Sequence, residues 1–257
     1  MYHSVTFGNM NTWDDWHLIP STRPVFNPPT LKTKTLEISG GNGLIDVSES
    51  LTGYPLYNNR EGSIEFIVMN DYKSWEEAYS DIMDYLHGQS TKAFLEDDPD
   101  YFYEGRFTVN NWKSDSKWSL ITIDYSVAPY KTKIDVTKSD ILFATTTNKG
   151  YTFNSDFYGR APVCPIFEVE TTSNLGVNIT FINSQLGLRE TKKLYNGKTQ
   201  VPEFVFYGPS ATIYIRAVGS SLYLEDSDGE VILDSSGNEI TTVASGNVTI
   251  SCNQGRL

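Results

Sequence analysis

Apolar and polar residues alternate along much of this chain, and only one stretch repeats at helical spacing. SVTF near the start, then LKTKTLEIS, LIDVSE, SIEFIVM at residues 63 to 69, TKAFLE, YFYEGRFTV and KWSLITIDYSV read as strands. Alternation puts one face of a strand on a core, and a short continuous apolar run suits a central strand. Between them, Pro20, Pro24, Pro28 and Pro29 fix φ and lack an N–H, so that segment is expected to be extended and not helical. GGNG at residues 40 to 43 is a turn, since Gly and Asn tolerate positive φ. The exception is SWEEAYSDIMDYLHG, Ser74 to Gly88. Ser74 with Glu77 three residues on makes a capping box, and Trp75, Ala78, Tyr79, Ile82 and Leu86 form one apolar stripe. Gly88 suits a left-handed end. Glu76, Glu77, Asp81 and Asp84 fall off the stripe and read as a solvated face.

After Ala128, Pro129 and Tyr130 the composition shifts toward Thr, Ser, Asn and Gly, which predicts a boundary near residue 131 and domains of residues 1–131 and 132–257. The second half offers PIFEVET, NITFIN, EFVFYG, TIYIRAV, LYLEDS, EVILDSS, EITTV and NVTISCN, with turns at Asp228-Gly229 and Ser236-Gly237-Asn238. Many short strands with turn signals predict a β-sandwich. The protein is expected to be mainly β, with one helix.

Composition agrees with strands: 16 Tyr and 13 Phe suit pleated faces. The length of 257 residues accommodates two ordinary cores. The net charge of −12 is uneven, since residues 1–137 hold 11 Lys/Arg against 20 Asp/Glu and the remainder only 9 against 12. No run of basic residues offsets it, so neither nucleic acid nor a membrane surface is an expected partner. No apolar run approaches the ~20 residues of a bilayer span. MYHSVTFGNM lacks the basic and apolar regions of a secretory signal, so a cytoplasm-made chain is expected. Cys164 and Cys252 then read as buried thiols in a reducing compartment, with a disulfide between them the open alternative.

Chemistry is sparse. LEDDPDYFYEGRF sets five acids, Glu96, Asp97, Asp98, Asp100 and Glu104, within nine residues. Glycoside hydrolysis needs two carboxylates facing each other across a sugar, which one loop does not supply. As a calcium loop counted from Asp97, the segment has Pro99 third and Phe102 sixth, where an acid and Gly belong. Asp226-Ser227-Asp228-Gly229 fails too, with Gly fourth. His3, His17 and His87 lack metal-ligand spacing. There is no GxSxG elbow and no phosphate loop, and Cys164 has no neighbouring base. Asn178-Ile-Thr and Asn247-Val-Thr match the glycosylation pattern by chance in a chain without a signal. Tyr151, Phe153, Phe157, Tyr158 and Tyr207 offer either core packing, the commoner role, or a sugar-stacking platform. No catalytic, cofactor-binding or metal residue is assigned, which favours a structural or binding protein over an enzyme.

The first-half segments, taken in order, resemble the distal tail proteins of long, noncontractile-tailed bacteriophages and prophages of Gram-positive bacteria. The matching stretches are MYHSVTFGNMNTWDDWHLIP, LEISGGNGLIDVSESLTG, Tyr57-Asn-Asn-Arg60, LHG, LEDDPDYFYEGRFTV and SLITIDYSVAPY. The resemblance implies an N-terminal β-sandwich with one helix and a projecting hairpin, closing as a homohexameric ring. It implies as partners the major tail tube protein on one face and a tail-associated lysin or tip protein on the other, with receptor-binding proteins in many phages. It places the protein at the virion tail tip, with no cofactor and no catalysis. PVCPIFEVE, NITFIN and GNVTISCNQGRL resemble the galectin-like or carbohydrate-binding-module-like second domain of such proteins. The alternative function is recognition of host surface glycans through that domain.

Overall fold

The computed structural model describes residues 2–69, 74–114, 119–144, 149–172, 176–218, 222–223, 235–236, 241–242 and 244–257. The chain divides into two compact units, Met1–Asp135 with Arg256–Leu257, and Val136–Gly255. Both are built from strands.

In the first unit the strands are β1 (Val5–Phe7), β2 (Met10–Asn11), β3 (Leu18–Pro20), β4 (Thr35–Glu37), β5 (Leu44–Asp46) and β6 (Arg60–Val68). After the helix α1 (Trp75–Leu86) come β7 (Ser90–Leu95), β8 (Tyr101–Ser114), β9 (Ser119–Val127) and the start of β10 (Lys131–Ala144). Pairing is antiparallel, and the main sheet runs β3-β6-β9-β8-β7-β1-β2. The β6–β9 ladder runs from Arg60 opposite Val127 to Val68 opposite Ser119. In β9 the alternation is strict: Ile121, Ile123, Tyr125 and Val127 are buried while the residues between them are partly exposed. They meet Phe7, Leu18, Phe66 and Phe107 in one core.

α1 follows its sequence signals. Ser74 N donates to Glu77 Oε2 at 3.2 Å and Glu77 N donates to Ser74 Oγ at 3.4 Å, so the capping box is made. Ile82 and Leu86 are fully buried. The helix is left at Gly88, whose φ is +73°, and Arg106 donates to the Gly88 carbonyl.

The proline-rich segment is extended, as expected, yet outside regular strand after Pro20. It delivers Phe26 to the core, with ring centroids 4.2 Å from Tyr103 and 4.7 Å from Tyr125. Arg60 holds it there. Buried to 5% exposure, this guanidinium donates to the carbonyls of Pro129 at 2.9 Å, Asn27 at 2.9 Å and Phe26 at 3.4 Å, and lies 5.5 Å from the Tyr103 ring.

The second unit is a β-sandwich. One sheet orders β15 (Gly197–Gln200), β12 (Ile166–Thr171), β19 (Ser245–Arg256) and the later part of β10; the other orders β11 (Gly150–Asn154), β16 (Ser210–Ala217), β13 (Val177–Asn183) and β14 (Leu188–Leu194). Phe167, Val169, Val248 and Ile250 from the first sheet and Ile179, Phe181, Ile213 and Ile215 from the second share one core.

Two differences from expectation stand out. EFVFYG is not a strand: Phe204 and Phe206 are fully buried, but only a single bridge, Val163 with Phe206, pairs the segment. Its alternation reflects side-chain burial without a ladder partner. A second helix, α2 (Ser155–Tyr158), is one turn long and capped by Asn154, whose side chain accepts from Asp156 N at 3.1 Å. LYLEDS and EITTV are strands where described, β17 (Leu222–Tyr223) pairing with β18 (Thr241–Thr242), and EVILDSS lies outside the described residues apart from Ser235 and Ser236. The turns at Asp228-Gly229 and Ser236-Gly237-Asn238 and the segment Asp226-Ser227-Asp228-Gly229 lie outside those residues, Ser236 apart.

Candidate functional site

β4 and β5 form a separate two-stranded sheet in the first unit, with Leu36 opposite Ile45 and Glu37 opposite Leu44. Side chains alternate along a strand, so Leu36, Ile38 and Ile45 share one face. They are 50%, 54% and 48% exposed. Leu44, on the other face, is 63% exposed, and Leu51 just beyond it is almost fully so. A two-stranded hairpin without a core is marginal by itself. Here the base is tied by the Leu31–Tyr57 bridge and by Lys32 N donating to Leu56 O at 2.8 Å. Three large apolar side chains on one side of an uncovered hairpin have the composition of a contact surface, since scattered single apolar residues, not aligned rows, are what an ordinary surface shows. The sequence pattern revealed the strands but not their exposure, because alternation looks the same whichever body covers the face.

The acidic turn is structural within the first unit. Asp97 accepts from His3 Nδ1 at 2.8 Å and from Arg23 Nε at 2.8 Å; Asp98 accepts from Lys131 Nζ at 2.6 Å; Glu96 accepts from Ser4 N at 2.8 Å. Partial burial acts to raise the Asp97 carboxyl, but hydrogen bonds and charge from His3 and Arg23 outweigh it and hold Asp97 below the ordinary carboxylate range. Arg106, spent on the end of α1, takes no part in this cluster. Three of the five acids are thus engaged by fold-forming partners.

At the far end of β8 a bulge between Val109 and Trp112 turns the Trp112 ring toward α1. It lies 5.8 Å from Trp75 and 5.9 Å from Tyr79, with Trp112 54% exposed.

In the second unit, the five aromatics read as either core or sugar platform resolve mainly toward core. Phe153 and Tyr158 are buried, with Tyr151 and Phe157 packed against the same cluster. Tyr158 Oη donates to Gly208 O at 2.9 Å, and burial pushes its pKa up. Tyr207 is partly buried. Both thiols are free, and burial pushes Cys252 up to about 12, so it stays neutral and unreactive. Burial, followed by the Glu203 charge, also raises Cys164. Asn178 lies on the sheet surface, whereas Asn247 is half-buried with its Oδ1 unpartnered. An open recess of about 500 Å³ beside β12, lined by residues including Glu168, Glu170, Thr172 and Asn196, shows no converging catalytic pair. Among the described residues no group of three His, Cys, Asp or Glu side chains is arranged to hold a metal ion, and no helix is long and apolar enough to cross a membrane.

These features define a mainly β protein of two strand-built units. No family model and no curated protein matches the sequence. Among solved structures, the chain is similar to the Dit protein (gp 19.1) of phage SPP1, described as a paradigm of hub adsorption apparatus in Gram-positive infecting phages. The TM-score is 0.59 at 13% identity, over 100% of each chain. The fold is therefore Dit-like across its whole length.

Proposed function

We propose that this protein is a structural hub of a phage or prophage tail, six copies closing into a ring that joins the tail tube to the tail tip. The observation that carries the reading is the likeness to SPP1 Dit over the full length of both chains, which spans both units and not one common sandwich alone. The exposed apolar face of the β4–β5 hairpin supports it from the chain's own residues. A closed ring needs two different complementary patches on each subunit, and Leu36, Ile38 and Ile45, each about half-exposed, supply one. The tail tube protein and a tail-associated lysin or tip protein are the proposed axial partners, and no catalytic step is assigned to this chain. Mass in solution tests the reading: a species of six subunits, alone or with the tube protein, agrees with it, and a persistent monomer under both conditions does not.

A further inference from the structure

We propose that Asn42-Gly43, in the turn between β4 and β5, is a self-modifying site. Asn42 closes on the Gly43 backbone to a succinimide, which water opens to aspartyl and isoaspartyl forms, while the second Asn-Gly pair, Asn196-Gly197, is held intact by the fold. The reaction needs no second protein and does not depend on ring assembly.

The chemistry sets the requirements. The Gly43 amide nitrogen, on losing its proton to hydroxide, attacks the Asn42 side-chain carbonyl carbon, Cγ. The N–Cγ bond forms as the Cγ–Nδ2 bond breaks, and Nδ2 leaves as ammonia. Water then adds to the five-membered imide. Opening at Cγ gives an aspartyl residue with the original main chain, and opening at the main-chain carbonyl of residue 42 gives an isoaspartyl link that runs through Cγ. The sum converts one amide and one water into one carboxylic acid and one ammonia, with no change of oxidation state. The nitrogen must therefore be unshielded, the side chain must be able to turn back on its own backbone, and water must reach both. Glycine in second place favours the attack, since it has no Cβ to crowd it and reaches conformations closed to other residues.

Asn42-Gly43 meets these conditions. Every residue from Ser39 to Gly43 is exposed. Among the described residues neither the Asn42 side chain nor the Gly43 N–H makes a hydrogen bond; within the turn the bond runs from Gly41 N to Ile38 O at 2.9 Å. Gly43 has φ +76°, and a Cβ placed there would find no atom within 4 Å. A two-stranded hairpin is marginal by itself, so its turn samples the conformations that bring nitrogen and Cγ together.

Asn196-Gly197 has the same dipeptide in opposite surroundings. Asn196 Oδ1 accepts from Thr171 N at 2.8 Å, and its Nδ2 donates to Thr171 O at 3.1 Å. Both polar atoms of that amide are committed to β12, and Gly197 stands in register with Val169 at the start of β15. Attack there would break both bonds and swing the side chain away from the strand. The two sites are thus separated by the fold and not by their sequence.

The product changes the hairpin. An ordinary aspartyl carboxyl titrates near ~3.9 and is ionised at neutral pH, so each event adds one negative charge to a chain of net charge −12. The isoaspartyl form also lengthens the main chain by one methylene inside the turn, and the turn fixes the register that sets Leu36 opposite Ile45. Resting on the hub reading, the modification marks copies that age before they assemble and excludes them from the ring.

The test holds the full chain in heavy-oxygen water at neutral and mildly alkaline pH, folded and in urea, then digests it in ordinary water and weighs the peptides over time. In the folded chain the peptide carrying Asn42 should gain a labelled carboxylate, as a mixture of aspartyl and isoaspartyl forms, faster at the higher pH. The peptide carrying Asn196 should react at least about tenfold more slowly, the factor that two hydrogen bonds of ordinary net strength impose, and in urea the two should converge. Asn42→Gln, which would have to close a six-membered ring, should stop the reaction at that position. An Asn42 peptide that stays intact in the folded chain, an Asn196 peptide that keeps pace with it there, or a difference that persists in urea overturns the proposal. For assembly, the aged unaltered chain should lose a six-subunit species that the equally aged Asn42→Gln chain retains. Equal retention overturns the effect on the ring, whereas a chain that is monomeric before ageing speaks against the hub reading and leaves the peptide result standing.

Discussion

Arg60 illustrates how one residue fixes a unit. Its charge is buried without a carboxylate, balanced by three carbonyls and a tyrosine ring. Arg60→Met would leave those carbonyls without their donor, and an unsatisfied buried polar group costs ~1–3 kcal/mol. Arg60→Lys should recover little, because an ammonium cannot reproduce the planar fork. Denaturant melting should therefore show both variants destabilised by about 2 kcal/mol or more. Asp97 gives a pH signature. Its carboxyl titrates lower in the folded chain than the ordinary 3.8 of the unfolded one, so folding favours the deprotonated form. That contribution is complete at neutral pH, begins to fade as pH falls through about 3.8, and is gone below the folded value. Asp97→Asn should lower the melting temperature at pH 7, and the difference from the unaltered chain should close in acid. A difference that grew on acidification would contradict the pairing with His3 and Arg23.

The elements divide by how much of their context is local. α1 was legible because Ser74 and Glu77 cap within a turn of each other, as the structure has them doing, and the chain leaves the helix at Gly88 with positive φ. Ser74→Ala should cost ~1 kcal/mol, read from thermal melting, as for other caps. β9 was legible from SLITIDYSV because its burial alternates strictly, with Ile121, Ile123, Tyr125 and Val127 all turned to the core. β10 was missed: KTKIDVTKSDILFA buries only Ile141 and Phe143, so 14 residues of strand carry little hydrophobic signal. EFVFYG misled in the opposite sense, since Phe204 and Phe206 are buried by a loop path. The acidic turn was legible as a turn, but His3, Arg23 and Lys131 come from distant segments that no local pattern links to it. The hairpin lends itself to a direct test. Leu36→Asp with Ile45→Asp should leave the melting of the chain within about 0.5 kcal/mol, as surface changes do, while abolishing self-association. A large loss of stability would mean instead that these side chains belong to the subunit's own core.

At the scale of the molecule, the architecture has two strand-built units. The fold is Dit-like over the full length, and the proposed assembly role rests on that likeness together with the half-exposed apolar hairpin. The central claim is the ring. Sedimentation or native mass measurement of the intact 28.9 kDa chain, alone and with the tail tube protein, addresses it most directly. The account predicts a closed species of six subunits in at least one of those conditions, lost in the chain carrying Leu36→Asp and Ile45→Asp. A monomer in both conditions, or an assembly indifferent to those two substitutions, would contradict it.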